Sequence, residues 1–315
     1  TILTQPPQSW CEHPDVLSLL AKFQAQGRAR NFTETMRFST DIYAARSIAT
    51  KTYPLFAAKS PNEQMGTLIV FRDETQEALA RQARTDFVSH LSHELKSPLN
   101  VLGLYSESLL SEAGKSREHQ IEAANIIAEE VDRLSSLITG LLNMTQIESG
   151  AIAPDRNLVK LNEVVAAAFE EARHMAADKD CTFKLVTPNE MNPVHVDKEL
   201  IRIALTNLMS NAVKYNREGG SVTVTLEDTE DAVQVRVADT GIGISDEEAA
   251  QIFDKFYRST DERVRSVNGH GLGLALAKQI VELHQGTLLL NRDREEGAEF
   301  IINLWKEATA VKQAI

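Results

Sequence analysis

The chain has 315 residues, 43% of them apolar and 25% charged, an ordinary folded-protein composition that suits two or three domains and excludes wholesale disorder. Lys and Arg total 33 against 45 Asp and Glu, and the formal net charge of -12 argues against non-specific nucleic-acid binding. Cys11 and Cys181 have no metal-like spacing, which excludes a disulfide scaffold or a cysteine-rich metal site and suits a reducing compartment. No run approaches the roughly 20 apolar residues of a membrane span, and the start lacks a secretory signal. The chain opens on Thr1 instead of Met. The expectation is a fragment, cytoplasmic in the part in hand, with a membrane anchor elsewhere in the parent protein left open.

Three regions follow in chain order. In the first, 1–74, Pro6, Pro7 and Pro14 precede a short helical candidate at 16–23. Strand-like runs come next at 32–38, 45–53 and 66–71, the last being the dense β-branched GTLIVF. They predict a small antiparallel sheet domain. In the second, 75–152, Val88, Leu91, Leu95, Pro98, Leu102, Tyr105 and Leu109 are spaced alternately by three and four, and predict a long helix. Ile127, Val131, Leu134, Ile138 and Leu141 repeat the spacing as the facing stripe, after a break at 111–116. Ile126, Leu137, Leu142, Met144 and Ile147 widen that stripe beyond what one hairpin covers. A four-helix bundle made with a second copy would bury it, and cover by the chain's other domains is the alternative. The third region, 153–308, predicts helices at 161–174, 198–215, 247–256 and 272–283. Strands are expected at 222–226, 233–237, 287–290 and 300–304. This is the α+β pattern of a sheet with helices on one face. A weakly helical tail, 309–315, closes the chain.

The chemistry starts in the stretch 87–100, FVSHLSHELKSPLN. If Val88 and Leu91 face a core, His93 falls on the outermost face of its helix, where its ring is open to an electrophile. Glu94 beside it can accept the proton from one ring nitrogen while the other attacks. Ser97 lies one turn on, on the same face, so its hydroxyl can orient a water or a phosphoryl group. Pro98 removes the donor that the Glu94 carbonyl would otherwise have and should bend the helix. A lone surface histidine usually does nothing, and His90 is read that way.

The string HELKSP resembles the phosphoacceptor box of the two-component sensor histidine kinases. The resemblance continues in order through 207–215 (NLMSNAVKY, the asparagine box), 239–244 (DTGIGI, the first glycine box), 253–258 (FDKFYR, the phenylalanine box) and 269–274 (GHGLGL, the second glycine box). Each motif alone is weak; the ordered set, over about 75–305, is specific. It implies a dimeric four-helix phosphotransfer bundle followed by an α/β sandwich of the GHKL ATPase type. GTLIVFRDETQ is similar to the closing strand and exit of a PAS sensor domain, which makes the first region a PAS-like α+β domain, truncated at its front, in a multidomain α+β chain.

The resemblance implies ATP with Mg2+ as cofactors. It makes His93 the phosphorylated residue, Glu94 its base and Ser97 a phosphatase helper. Asn207 and Asn211, four apart on one helix, face one site, with Asn211 as the metal ligand. Lys214 stands by the phosphates, and Tyr215 by the base. Asp239 takes a hydrogen bond from the adenine amino group, in a pocket completed by Gly241 and Gly243. Gly269, Gly271, Leu272 and Gly273 open a helix whose amides suit an anion. The stretch 257–268 is expected to be a loop that lids the nucleotide, with Arg258 reaching the phosphates and Arg263 or Arg265 as helpers. His270 stands where the family has a small residue, and no role is assigned to it. The implied partners are a second copy and a response-regulator receiver domain, not nucleic acid. An ATPase of the gyrase, chaperone and mismatch-repair group is the alternative enzyme, but it leaves His93, Glu94 and Pro98 unexplained. A nucleotide-binding scaffold without phosphotransfer is the other.

Overall fold

The structure, a computed structural model, describes Leu17 and residues 32–40, 43–57, 60–111, 116–176, 180–188, 190–265, 267, 269–294 and 296–306. The helical candidate at 16–23, Leu17 apart, and the tail at 309–315 lie outside the described residues. The chain forms two compact units, Thr1–Ser89 and His90–Ile315.

In the first unit β1 (Phe32–Thr40), β2 (Tyr43–Ala57) and β3 (Ser60–Asp73) pair antiparallel in that order. All three expected strands are present. β3 feeds α1 (Thr75–Leu110) through one intervening residue. The Asp73 carboxylate accepts from the Thr75 N–H at 3.0 Å and from its hydroxyl at 2.5 Å. Ser47 of β2 donates its N–H to the same hydroxyl at 3.0 Å and accepts the Glu74 N–H at 2.8 Å. The orphan amides that begin any helix are thereby tied into the sheet.

The second unit opens with the rest of α1 and with α2 (Arg117–Glu148). Glu94 meets Arg133 and Ser108 meets His119. The two contacts are fourteen residues apart on each helix and run in opposite directions, so the hairpin is antiparallel with a fixed register. The buried line of α2 differs from the expected one. It runs through Ala123, Leu137 and Met144, with Glu130 at the heptad position between them, while Val131 and Ile138 are 46% and 47% exposed. The physical reason is that α2 has two neighbours: it packs on α6 (Gly273–Leu283) and meets α1 at the Glu94–Arg133 and Ser108–His119 contacts. The residues between those neighbours are buried, and the adjacent apolar line is left outside. Among the described residues no helix is long and apolar enough to cross a membrane.

The rest of the unit is a five-stranded mixed sheet in the order β5 (Thr182–Val186), β7 (Ser221–Asp228), β8 (Ala232–Asp239), β10 (Glu299–Trp305), β9 (Thr287–Leu290). Only β5 and β7 run parallel. Val222, Val224 and Leu226, Val235 and Val237, and Phe300, Ile302 and Leu304 alternate onto one buried face. Each such side chain contributes roughly 1.5–3 kcal/mol on burial. Helices α3 (Leu161–Met175), α4 (Lys198–Lys214) and α6 cover that sheet, as the sequence pattern requires. β5 and the small pair β4 (Asn157–Val159) and β6 (Val194–Val196) were not expected. The helix expected at 247–256 is instead a chain of turns, closed by bonds such as Gln251 N–H to Glu248 O and Asp254 N–H to Gln251 O, both 2.8 Å. Phe256 stops any helix there, because its φ of 62° is left-handed and its N–H is given to Gly271 O at 2.9 Å. The stretch expected to be a loop, 257–268, holds the one-turn helix α5 (Glu262–Arg265).

Helix α4, which carries much of the site, starts on Asp197. That side chain accepts the N–H groups of Glu199 and Leu200 at 3.1 Å each and that of Asp155 at 2.9 Å. Asp197→Ala is expected to cost about 1–2 kcal/mol, the range for a lost N-cap. Asp197→Asn should recover most of it, both read from urea unfolding of the whole chain.

Candidate active site

β8 delivers Asp239 to the edge of a cleft. The carboxylate is almost fully buried, and its Oδ1 accepts the N–H groups of Gly241 at 2.8 Å and Ala298 at 3.1 Å. Burial pushes its pKa above the usual carboxylate range, against the opposing pull of those two amides and the nearby Arg294 guanidinium. Arg294 also donates to the Asp239 carbonyl at 3.0 Å. Two close approaches fix the turn. A Cβ at Gly241 would lie 2.2 Å from Tyr215 O, and one at Gly297, whose φ is 70°, would lie 2.0 Å from Asp239 O. Gly297 was missed in the sequence; the one signal is an isolated glycine just ahead of a strand.

The cleft at Asp239 is small, about 110 Å³, and it is the wider cleft beside it, about 760 Å³, that falls inside the roughly 300–1,000 Å³ range of small-molecule sites. Asn211, Tyr215, Gly243 and Arg258 share the lining of the small cleft. Asn211 and Tyr215 also line the wider one, with Asn207, Lys214, Gly269, Gly271 and Gly273. The two clefts are adjacent and share these residues as a wall, and most of the expected site residues converge on them. Asn207 is held by its own amide, which donates to Ile203 O at 2.8 Å, and its Oδ1 lies against Gly273. Burial lowers the Lys214 ammonium and raises the Tyr215 hydroxyl, the latter opposed by Arg258. Leu272 and Gly241 are the exceptions among the expected cleft residues: neither lines a cleft, Leu272 being fully buried and Gly241 lying against the Tyr215 carbonyl. Arg258 sits at the first cleft but donates to the carbonyls of Val264, Arg265 and Val267 at 3.1, 3.3 and 2.7 Å, so it holds the end of α5 in place. Arg263 is exposed and paired with Asp261 at 2.6 Å, and Arg265 is exposed.

Among the described residues no group of three His, Cys, Asp or Glu side chains can cage a metal ion. The Asn211 amide, facing both clefts, suits an ion such as Mg2+ that arrives already held by phosphates and needs few protein oxygens.

His93 is 84% exposed on α1, with its Nδ1 4.0 Å from Glu94 Oε1. Ser97 is exposed one turn on, and Pro98 is buried. The cleft's wall from the hairpin is built by α2, not by these α1 residues: Arg133, Ser136 and Thr139 line it. His90 is more than surface decoration, since its ring stands edge-on to Phe256 at 5.7 Å between centroids. His270, which sequence reasoning left without a role, seats the loop on α2. Its Nε2 is 3.4 Å from Ser136 Oγ, and its ring lies over Gly140. Glu148, near the end of α2, accepts from Lys255 and from Gln279, the latter at 2.7 Å.

The comparisons with known proteins fall on the same residues. The model of the His Kinase A (phospho-acceptor) domain matches 83–150. The model of the histidine kinase-, DNA gyrase B- and HSP90-like ATPases matches 196–308. The chain belongs to the sensor histidine kinases. It is 31% identical over 241 residues to the sensor protein kinase WalK of Staphylococcus saprophyticus, covering 76% of this chain and 39% of that one. It is 29% identical over 245 residues to the sensor-like histidine kinase SenX3 of Mycobacterium tuberculosis, covering 78% and 59%. The kinase chain in hand thus spans between about two-fifths and three-fifths of the length of these relatives. In fold it is similar to the histidine kinase AdeS of Acinetobacter baumannii, with a TM-score of 0.56 at 20% identity over 68% of this chain and 98% of that one. Full-length ShkA in complex with AMPPNP gives a TM-score of 0.52 at 25% identity, over 70% and 46%.

Burial, then the charges of Lys214, Arg133 and Arg258, push the His270 pKa from 6.5 down to about 4. A depressed histidine contributes stability that is complete above about pH 6.5 and is lost as pH falls toward 4, because only the unfolded chain takes up the proton. Acid unfolding of the wild type should show this as a loss on the order of 3 kcal/mol. His270→Gln should flatten that limb, as read by urea unfolding at pH 4.5 and 7.5.

Proposed function

We propose that the chain phosphorylates its own His93 from ATP and passes the phosphoryl group to an aspartate of a response-regulator receiver domain. The observation that carries this reading is the pairing, in one kinase-family chain, of an exposed histidine beside a carboxylate with a small pocket at the buried Asp239 that shares Asn211 and Tyr215 with a wider cleft. A division into a PAS-like domain at 1–74, a dimerisation and phosphotransfer hairpin at 75–152, a catalytic domain at 153–308 and a tail at 309–315 is part of the reading. The three-stranded sheet and its pinned exit into α1 support the first of these.

In this reading the adenine amino group donates to Asp239, whose Oδ2 has no hydrogen bond among the described residues. Tyr215 lies along the base. The phosphates run toward Lys214 and the backbone of Gly269, Gly271 and Gly273 at the start of α6, where exposed amides favour an anion. Mg2+ held on Asn211 would offset charge on the phosphates. Glu94 is nearest Nδ1 of His93, so Nδ1 gives up the proton and Nε2 attacks the γ-phosphorus in line as the bond to ADP breaks. Arg258 keeps the lid segment closed over the site. Ser97, on the exposed face with His93, serves the reverse hydrolysis of the phosphorylated regulator.

A dimer built through the hairpin accounts for the outer apolar line of α2. Val131, Ile138 and Leu142 are exposed in one chain and would be covered by a second copy in a four-helix bundle. ShkA was solved with AMPPNP bound, which supports a nucleotide in the equivalent cleft here.

Incubation of the whole chain with γ-labelled ATP and Mg2+ tests the reading. The wild type should take up label that is acid-labile and base-stable. His93→Ala should take up none while still binding nucleotide, and Asn211→Ala should lose both. Label that survives acid, or label retained in His93→Ala, would contradict it.

A further inference from the structure

We propose that Arg133 of α2 is a positioning residue for the transfer step, holding the Glu94 carboxylate beside His93 from the wall of the nucleotide cleft. The inference rests on the kinase reading above and adds to it a residue that no motif marks.

The geometry has three parts. The Arg133 guanidinium reaches across the hairpin to Glu94 Oε2 at 3.8 Å, while the other carboxylate oxygen, Oε1, is the one nearest His93. On its own helix Arg133 also lies 3.9 Å from Glu130 Oε2. All three side chains are largely buried, and neither carboxylate oxygen that faces the guanidinium has a hydrogen-bond partner. Arg133 is therefore the cation that offsets two acidic groups drawn out of water. Removing it leaves Glu94 beside a second buried carboxylate, and the two repel.

Arg133 also belongs to the cleft. It lines the wider pocket with Lys214, Asn211 and the second glycine box, and its charge bears on His270 in company with those of Lys214 and Arg258. One guanidinium thus faces the base of the reaction on one side and, on the other, the part of the cleft assigned to the phosphates. His93 itself does not line that cleft. Arg133 is the side chain that touches both halves of the machinery. Both of its carboxylate contacts are 3.8–3.9 Å ion pairs without fork geometry, so the charge matters more than the planar guanidinium.

The test is a double-mutant cycle on autophosphorylation rate in the full chain, with ADP affinity measured alongside. Glu94→Gln should slow labelling by about 100-fold, the lower end for a lost general base. Arg133→Gln should slow it by about 10- to 50-fold at saturating ATP, a loss of rate that weaker nucleotide binding from the cleft side would not give. In the Glu94→Gln background the same change should cost no more than about twofold, because a residue that acts through Glu94 has nothing left to position. Arg133→Lys should recover at least about a third of the wild-type rate. Arg133→Gln at the wild-type rate, costs that multiply in the double variant, or Arg133→Lys as slow as Arg133→Gln would each overturn the assignment while leaving the kinase reading in place. A wild type that binds ADP but takes no label would overturn both.

Discussion

The cleft region is arranged around a carboxyl group held almost entirely out of water, Asp239 at the end of β8. A carboxyl in that position is tolerated only if donors are supplied, and here they come from the two turns that flank the cleft, through the amides of Gly241 and Ala298. Those turns can approach only because Gly241 and Gly297 lack side chains. Tyr215, at the end of α4, is pinned by the same approach, since its carbonyl lies against Gly241 and accepts the Ile242 N–H at 3.1 Å. The position of α4, and with it Asn207, Asn211 and Lys214, thus follows from how Asp239 is accommodated.

Under the proposed function His93 has the opposite requirement. A histidine that is to meet two different partners in turn must stay open, and His93 sits on a helix face with most of its ring in solvent. The structure meets both needs by joining catalytic region and hairpin through α2. Ser136 and Gly140 receive His270, Glu148 receives Lys255 and Gln279, and Phe256 meets His90 on α1. Most of these contacts are polar, and they stand beside the apolar packing of α2 on α6, where Leu137 and Met144 are buried. Arg133 lies about one turn before Ser136 on α2, in the lining of the wider cleft.

Most of the element order was legible in the sequence. Alternating valines gave β7 and β8 away, and spacings of three and four marked α1, α2 and α4, because those elements bury one face. Where a segment has two neighbours or none, periodicity misleads. In α2 the apolar residues occupy two adjacent lines, and only the second neighbour, α6, selects the line through Leu137 and Met144. The 247–256 stretch has helical composition, yet Phe256 adopts a left-handed backbone to meet Gly271, a tertiary contact invisible in local sequence. The site's motif residues were found because they are clustered in sequence. Gly297 and Arg133 were not, since each acts on a residue more than thirty positions away in the chain.

The proposed function stands or falls on Asp239 reading an adenine base. The most direct measurement compares ADP and GDP affinity, by titration calorimetry, in the wild type and in Asp239→Asn. A carboxylate that only accepts hydrogen bonds should bind ADP and reject GDP by at least about 100-fold, because guanine presents an oxygen where adenine presents an amino group. Asp239→Asn keeps an oxygen for the Gly241 and Ala298 amides and should fold normally, yet lose most ADP affinity. Equal affinity for the two nucleotides, or an Asp239→Asn variant that still prefers ADP, would contradict the claim.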